Sequence, residues 1–351
     1  MGTFYDLDGW IDVPAIDDYA NRHNISFIFI IGRRQVGKTY GVLKYMLDQK
    51  KTWILMRRTK QELKLLKNEV NSPFEAIPEY AGRVGFDGSE DGTVEMFLTT
   101  DETAIGHGAY DEYFGMAVAL STVASIRGFS GGRYSDLVYD ECIPENHVYK
   151  IKNEDEAFLN AYTTINGNRE LRGEKPLRCW LLSNANKLDA AILRAFDLVE
   201  VTERMWLTGS EELLLKERGI LILMPKSQHI IEKRSETALY RAAGTKSQFA
   251  KMSLNGDFSH DDTSDIKKVD IRQYQPICRL DDMLVCKHKS DGSLYVCKKF
   301  PVPGIRKYDD TEYYRNYYRR THPSHRMAYL KGQAFFQNVA VKTKFLKFIS
   351  E

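Results

Sequence analysis

Residues 25–42 read ISFIFIIGRRQVGKTYGV, and this stretch constrains the fold more than any other part of the 351-residue chain. An apolar, β-branched run ends in a glycine, four residues follow, and the sequence GKT at 37–39 leads into a helical pattern. This spacing is typical of a phosphate-binding loop between a strand and a helix, where backbone N–H groups surround phosphate oxygens. We therefore predict an α/β domain with a nucleotide site. The predicted nucleotide-binding residues are Gly32, Gly37, Lys38, Thr39 and Tyr40.

A second motif, SDLVYDE at residues 135–141, predicts a short strand that delivers two adjacent carboxylates to its carboxyl end. Adjacent carboxylates repel each other without a cation, and this favours a metal site. Asp140 would bind Mg²⁺ together with the Thr39 hydroxyl. Glu141 would orient or deprotonate the attacking water. A Glu directly after the Asp indicates hydrolysis by a motor-type ATPase, rather than phosphoryl transfer to a small acceptor.

Basic residues follow the next predicted strand, at 53–56. The sequence there is Arg57-Arg58-Thr59-Lys60, and ligands bind at the carboxyl ends of strands in open α/β sheets. Arg57 or Lys60 could therefore face a phosphate, in this subunit or in a neighbour. The alternative interpretation is the start of a surface helix.

Polar residues also follow the predicted strand at 179–182, within the sequence SNAN. Asn184 could hydrogen-bond the γ-phosphate or the lytic water and act as a sensor of hydrolysis, or it could satisfy a turn. Arg169 or Arg172 could supply the arginine that stabilises the transferred phosphoryl group. A surface ion pair is the alternative for either arginine.

Two aromatic residues, Tyr5 and Trp10, lie upstream of the first strand, where they could stack on an adenine or serve in packing. Residues 71–116 are punctuated by Pro and Gly, and we interpret them as an insertion. Further along the chain, the patterns predict a strand-like segment at 198–207 and helices at 210–217 and 230–243.

Residues 244–265 are rich in Gly, Ser and Asp, and we interpret them as a connection into another domain. The segment 283–298 alternates around an Asp-Gly turn, which predicts a hairpin. Residues 311–320 interleave tyrosines with arginines, as nucleic-acid surfaces and protein interfaces both do. Residues 326–349 predict a basic amphipathic helix pair or one interrupted helix.

Charge is unevenly distributed along the chain. The net charge is +2, but residues 298–351 carry 12 Lys/Arg against 4 Asp/Glu. This basic end suggests an anionic partner, or else a solvated basic surface. The start of the sequence is not typical of a signal peptide, and no apolar run approaches the ~18 residues of a membrane span. Five scattered cysteines predict reduced thiols in an intracellular protein.

Taken in order, these motifs resemble one family. The segments are GRRQVGKT (32–39), MRRTKQELK (56–64), LVYDE (137–141), NREL with RCWLLSNAN (168–186) and MSLNGDF (252–258). The chain is similar to the genome-packaging ATPases of small tailed phages of the phi-29-like group, which are relatives of terminase large subunits.

The resemblance implies a RecA-like ASCE P-loop ATPase with a mainly parallel sheet, in residues 1–204. It also implies a linker subdomain in 205–260 and a small α+β C-terminal domain in 261–351. That last domain would be RNase H-like without nuclease activity.

The resemblance further implies a ring, usually a pentamer, docked on the portal of a procapsid in the host cytoplasm. With ATP and Mg²⁺ it would translocate double-stranded DNA into the shell. In this pattern Arg57 and Lys60 act across the subunit boundary. Gly167 stands where the family has its proposed arginine finger, so that Arg169, Lys60 and Arg57 remain alternatives for this role. A helicase-type ATPase, or a nucleic-acid or portal-binding module with an ATP switch, would be the other interpretations.

Overall fold

The computed structural model describes residues 4–33, 36–66, 72–88, 92–99, 112–125, 131–145, 151–227, 232, 236–243, 263–298 and 302–350. The chain divides into two compact units. The first comprises Met1–Phe196 and Met205–Ser259, and the second comprises Asp197–Arg204 and His260–Glu351. The domain boundaries at residues 204 and 260 stay a prediction.

A large, mostly parallel sheet forms the centre of the first unit, which confirms the predicted RecA-like α/β class. Its strands are β1 (Phe27–Gly32), β2 (Trp53–Arg57), β3 (Val84–Asp87), β4 (Thr93–Leu98), β5 (Glu112–Ala119), β6 (Asp136–Asp140), β7 (Arg178–Asn184), β8 (Glu212–Leu215) and β9 (Ile220–Leu223). Within the described residues the strand order is β3-β4-β5-β2-β6-β7-β1-β9-β8. The neighbouring strands β5, β2, β6, β7, β1 and β9 are parallel to each other. At the edges, β3 pairs with β4, β4 with β5, and β8 with β9, each time antiparallel.

The parallel strands are buried because helices cover the sheet, as is usual for parallel sheets. Trp53 on β2 and Trp180 on β7 are completely buried. The α-helices described up to residue 243 are α1 (Val13–Arg22), α2 (Lys38–Asp48), α3 (Lys60–Leu66), α4 (Glu154–Asn166), α5 (Ala191–Ala195), α6 (Val199–Thr208) and α7 (Ala238–Ala243). Helix α6 begins in the second unit and ends in the first, and the others belong to the first unit.

The parallel arrangement positions the predicted site. The carboxyl ends of β1, β2, β6 and β7 all lie at one edge of the sheet. At this edge β1 continues into the phosphate loop, and β2, β6 and β7 end in Arg57, Asp140 and Asn184. Four segments that are far apart in the sequence therefore converge there.

Two predicted elements are wrong. Residues 198–207 form helix α6 instead of a strand, and their buried positions, among them Leu198, Thr202 and Met205, recur at helical spacing. Residues 210–217 contain strand β8 instead of a helix. They pair antiparallel with β9 across a short turn that ends at Gly219 (φ 60°), so that pairing overrides the helical propensity of Glu, Leu and Lys.

The predicted insertion at 71–116 contributes β3, β4 and the start of β5 to one edge of the sheet. Other predictions lie outside the described residues. These are Arg34 of the phosphate loop, residues 230, 231 and 233–235 of the predicted helix 230–243, and most of the connection 244–265, including the MSLNGDF motif.

The second unit is a small α+β fold, as predicted for the C-terminal end. Its strands are β10 (Tyr274–Leu280), β11 (Met283–His288), β12 (Leu294–Lys298), β13 (Arg306–Tyr308) and β14 (Ala334–Phe336). Its main helices are α8 (Glu312–Thr321), α9 (Pro323–Leu330) and α10 (Val339–Ile349). In its described part the sheet has the order β13-β10-β11-β12-β14, and β11 and β12 form the predicted hairpin. Strand β14 lies between the two helices predicted at 326–349.

Within the described residues, no helix is long and apolar enough to span a membrane. All five cysteines are buried and have free thiols.

Candidate active site at the carboxyl edge of the sheet

The phosphate loop joins β1 to α2. Gly37 caps α2 with a left-handed φ of 84°, a conformation that a side chain would strain. The Lys38 ammonium lies inside the loop, where it donates to the carbonyl oxygens of Gly32 (3.3 Å) and Arg33. It also donates to the side-chain oxygen of Asn184 at 3.2 Å. Lys38 is therefore held by the atoms that surround a phosphate position, and Asn184 is in direct contact with it.

The acidic pair faces this loop. The Thr39 hydroxyl donates to Asp140 Oδ1 at 3.0 Å, and Asp140 is buried. Glu141 follows in the left-handed region, with φ 56°, and 63% of its side chain is exposed. Such strained conformations of non-glycine residues cluster at active sites. Gly37, Lys38, Thr39, Tyr40, Asp140, Glu141, Ser183 and Asn184 line one cavity.

This donor set fits Mg²⁺. The ion prefers hard oxygen ligands, keeps several waters, and is usually held by one or two protein oxygens together with substrate phosphates. Thr39 and Asp140 supply two such oxygens beside the phosphate loop. Among the described residues, no cluster of three or more His, Cys, Asp or Glu side chains forms an all-protein metal cage.

Arg57 lies in the active site of its own chain. Its guanidinium is 3.0 Å from Asp140 Oδ2 and 3.5 Å from Glu141 Oε2. The side chain is largely buried, with 14% exposed. Arg57 therefore neutralises both carboxylates from the same subunit, an arrangement that the resemblance did not imply.

A buried ion pair supports this edge from behind. Arg58 is 1% exposed and binds Glu154 at the start of α4 through two hydrogen bonds, of 2.6 and 2.9 Å. The Tyr139 hydroxyl donates to the same carboxylate at 3.3 Å. Burial disfavours the charged guanidinium, but the hydrogen bonds and charge of Glu154 outweigh it and raise the pKa of Arg58. Burial, with the Glu154 charge, raises the pKa of Tyr139 well above its ordinary value.

Lys60 begins α3 just beyond β2, and it is exposed at the same edge as the phosphate loop. Arg169 is not brought there. It is buried, and its guanidinium donates to the carbonyl oxygens of Gly131 (2.6 Å) and Tyr134, which precede β6. This position is at the amino ends of the parallel strands, opposite the phosphate loop. Arg169 therefore does not reach the phosphate loop of its own chain, where it instead secures the segment that enters β6, and its role as a phosphoryl-binding arginine stays a prediction. Arg172 forms an exposed ion pair with Glu174 at 2.8 Å.

The family model for the podovirus DNA encapsidation protein (Gp16) matches residues 19–274. The chain belongs to this family. It is therefore a DNA encapsidation protein, an ATPase that drives DNA packaging. A search of curated protein sequences found no significant match.

Two solved structures resemble the encapsidation protein along nearly its whole length. The phi-28 gp11 DNA packaging motor is 15% identical, with a TM-score of 0.62 and 99% of each chain covered. The bacteriophage phi-29 viral genome packaging motor assembly is 20% identical, with a TM-score of 0.59, and covers 99% of this chain and 100% of the other. At these identities the likeness shows the fold.

Tyr318, Arg315 and Arg319 of the segment 311–320 have partners within the second unit. Tyr318 is buried in its core. Arg315 pairs with Asp310 at 2.6 Å, and Arg319 donates to the carbonyl oxygen of Ser350. Much of the interleaved pattern thus serves the packing of α8, which weakens its interpretation as a nucleic-acid surface.

Sequence reasoning missed Arg58 and Glu154 of the encapsidation protein. A usable signal was present, because successive side chains of a strand point to opposite faces of the sheet. If Arg57 faces the nucleotide edge, Arg58 must point toward the helices behind it. An arginine buried there requires an acidic partner.

Proposed function

We propose that the encapsidation protein works as one subunit of a ring, expected to be a pentamer, docked on the portal of a procapsid in the infected host cell. There it would use ATP and Mg²⁺ to translocate double-stranded DNA. The observation that carries the proposal is the convergence of Lys38, Thr39, Asp140, Glu141 and Asn184 on one cavity. The structural relatives are packaging motors, which supports a ring and the partners of such motors.

The site residues divide the work of hydrolysis. Lys38 holds the terminal phosphates, and Thr39 and Asp140 hold Mg²⁺, which when bound supplies positive charge to the phosphate oxygens. Glu141 accepts a proton from the attacking water, for which its exposed carboxylate is suited. Asn184 exchanges its bond with Lys38 for one with the γ-phosphate, and so reports the state of the nucleotide.

Two basic residues take separate roles in this proposal. Arg57 is already bound to Asp140 and Glu141, so we assign it to its own active site. Lys60 is exposed at the same edge, so we assign it to the nucleotide of the neighbouring subunit. Mixed rings test this division, because a Lys60→Ala subunit should impair the site of its neighbour while its own site stays active.

The decisive experiment measures DNA-stimulated ATP hydrolysis and DNA packaging into purified procapsids. Glu141→Gln should bind ATP with wild-type affinity and lose both activities, whereas Lys38→Ala should also lose ATP binding. Glu174→Gln, at the exposed ion pair with Arg172, is the matched control and should keep both activities. Hydrolysis retained by Glu141→Gln, or a wild-type rate unchanged by DNA, would contradict the proposal.

A further inference from the structure

The segment before α1 is a fixed turn that presents one aromatic side chain. Asp6 N–H donates to the carbonyl oxygen of Trp10 at 2.9 Å, and Trp10 N–H donates to Asp6 Oδ1 at 2.8 Å. Asp12 N–H donates to the carbonyl oxygen of Phe4 at 3.0 Å. The backbone of Trp10 is thus held from both sides, and its position is set before any ligand binds.

The indole of Trp10 lies against the phosphate loop itself. A Cβ atom built on Gly37 would be only 3.2 Å from Trp10 Cε3. One helical turn later, a Cβ atom on Gly41 would be 3.1 Å from Val13 Cγ2. Two glycines at the start of α2 therefore let the preceding segment approach the loop closely.

Trp10 nevertheless keeps much of its surface in solvent. It is 41% exposed, whereas Trp53 and Trp180 of the same unit are completely buried. Packing alone does not require a large indole that leaves so much of its surface uncovered. An exposed aromatic face beside a nucleotide loop is a ready stacking surface.

The topology places Trp10 on the side of the phosphate loop toward which the nucleoside of a bound nucleotide extends. In the strand order β6-β7-β1-β9, the carboxylates of β6 lie on one side of the phosphate loop and β9 on the other. Hydrolysis requires the terminal phosphate to face Glu141, so the nucleoside extends toward β9. The segment with Trp10 runs along that side, because the Tyr5 hydroxyl donates to Glu211 beside β8 and accepts from Lys226 N–H beyond β9 (2.7 Å).

We propose that the indole of Trp10 is the stacking platform for the nucleobase of the bound nucleotide, an inference that rests on the ATP site proposed above. Stacking tolerates base identity because every base has a π face. Trp10 therefore favours purines over pyrimidines through their larger ring area, and contributes little to the choice between adenine and guanine.

The test compares ADP with inorganic pyrophosphate, which shares its phosphates but lacks a base. Calorimetric titration of the full chain with Mg²⁺ gives both dissociation constants. Trp10→Ala should raise the Kd for ADP about tenfold and leave the Kd for pyrophosphate unchanged. Trp10→Phe, which keeps an aromatic face and the turn, should stay within about threefold of wild type.

Three results in these titrations would overturn the inference. An equal loss of ADP and pyrophosphate binding in Trp10→Ala would mean that the indole only supports the loop. An unchanged Kd for ADP, or a base-specific loss in Tyr40→Ala instead, would mean that the base lies elsewhere. Lys38→Ala should weaken both ligands. If wild-type protein binds neither ligand, the ATP site itself is refuted, a result that differs from failure of the stacking platform.

Discussion

The buried pair of Arg58 and Glu154 gives the sharpest prediction about stability. Arg58 is 1% exposed, and both of its bonds to Glu154 are shorter than 3.0 Å. Replacing Arg58 by Met keeps the apolar stem and removes the charge, so that Glu154 is left buried without its partner. Breaking a buried pair from one side costs about 3–5 kcal/mol, because the remaining charge loses both water and its counter-ion.

Urea unfolding measures this cost in the right part of the molecule. All four tryptophans of the chain belong to the first unit, so their fluorescence follows that unit alone. With an m-value of about 2–3 kcal/mol/M, a loss of about 4 kcal/mol lowers the midpoint by about 1.5 M. The double variant Arg58→Met with Glu154→Met should recover most of this loss, since apolar groups can replace a buried ion pair.

The exposed pair of Arg172 and Glu174 provides the matched control. Its side chains are 51% and 50% exposed, and its shortest N···O distance is 2.8 Å. Solvent screens such a pair, so Arg172→Met should leave the midpoint where it is. If Arg58→Met shifts the midpoint no more than Arg172→Met does, the buried pair does not stabilise the first unit, and the reasoning is refuted.

Three further predictions concern single residues. Arg57→Ala removes a cation that lies 3.0 Å from Asp140 and competes with Mg²⁺ for this carboxylate. The Mg²⁺ concentration for half-maximal ATPase activity should therefore fall about tenfold, the equivalent of one charged hydrogen bond. An unchanged Mg²⁺ requirement would show that Arg57 and Mg²⁺ do not compete. Arg169→Met should lower the midpoint of urea unfolding while leaving the KM for ATP unchanged, and a raised KM with normal stability would return Arg169 to the nucleotide site. Burial lowers the pKa of His325 to about 4, so the unfolded state binds this proton at a higher pH than the folded state does. The second unit should therefore lose up to about 3 kcal/mol of stability as pH falls from about 6.5 to about 4. Calorimetry at several pH values measures this loss, and His325→Gln should make the stability less dependent on pH.

The phosphate loop, the strands before it and after it, and the acidic pair could be predicted because each depends on local pattern. A β-branched run, a Gly-rich turn and a helical period are all visible within residues 25–48. Strand β8 could not be predicted in this way. Its Glu and Leu residues favour a helix in isolation, and only pairing with β9 makes a strand of them.

The position of Arg169 shows a second limit. It follows the carboxyl end of α4, which begins beside the active site at Glu154 and runs to the opposite edge of the sheet. A motif in the sequence identifies a residue type but does not say at which edge the chain has arrived. The order of the helices and strands shows that Arg169 lies at the amino ends of the strands. The number of residues between Arg169 and the acidic pair does not show this.

The register of β2 against β6 joins the active site to the buried pair. Met56 lies opposite Tyr139, so Arg57 comes level with Asp140 and the next residue, Arg58, turns toward the Glu154 carboxylate that Tyr139 also contacts. A slip of one residue would invert every side chain of β2 across the sheet. A slip that moves Arg58 into the position of Arg57 would leave Glu154 without a cation, and the opposite slip would leave Asp140 without one. Only the observed register gives an arginine both to the acidic pair and to Glu154, so the ion pair that stabilises the first unit also favours the register that places Arg57 beside Asp140 and Glu141.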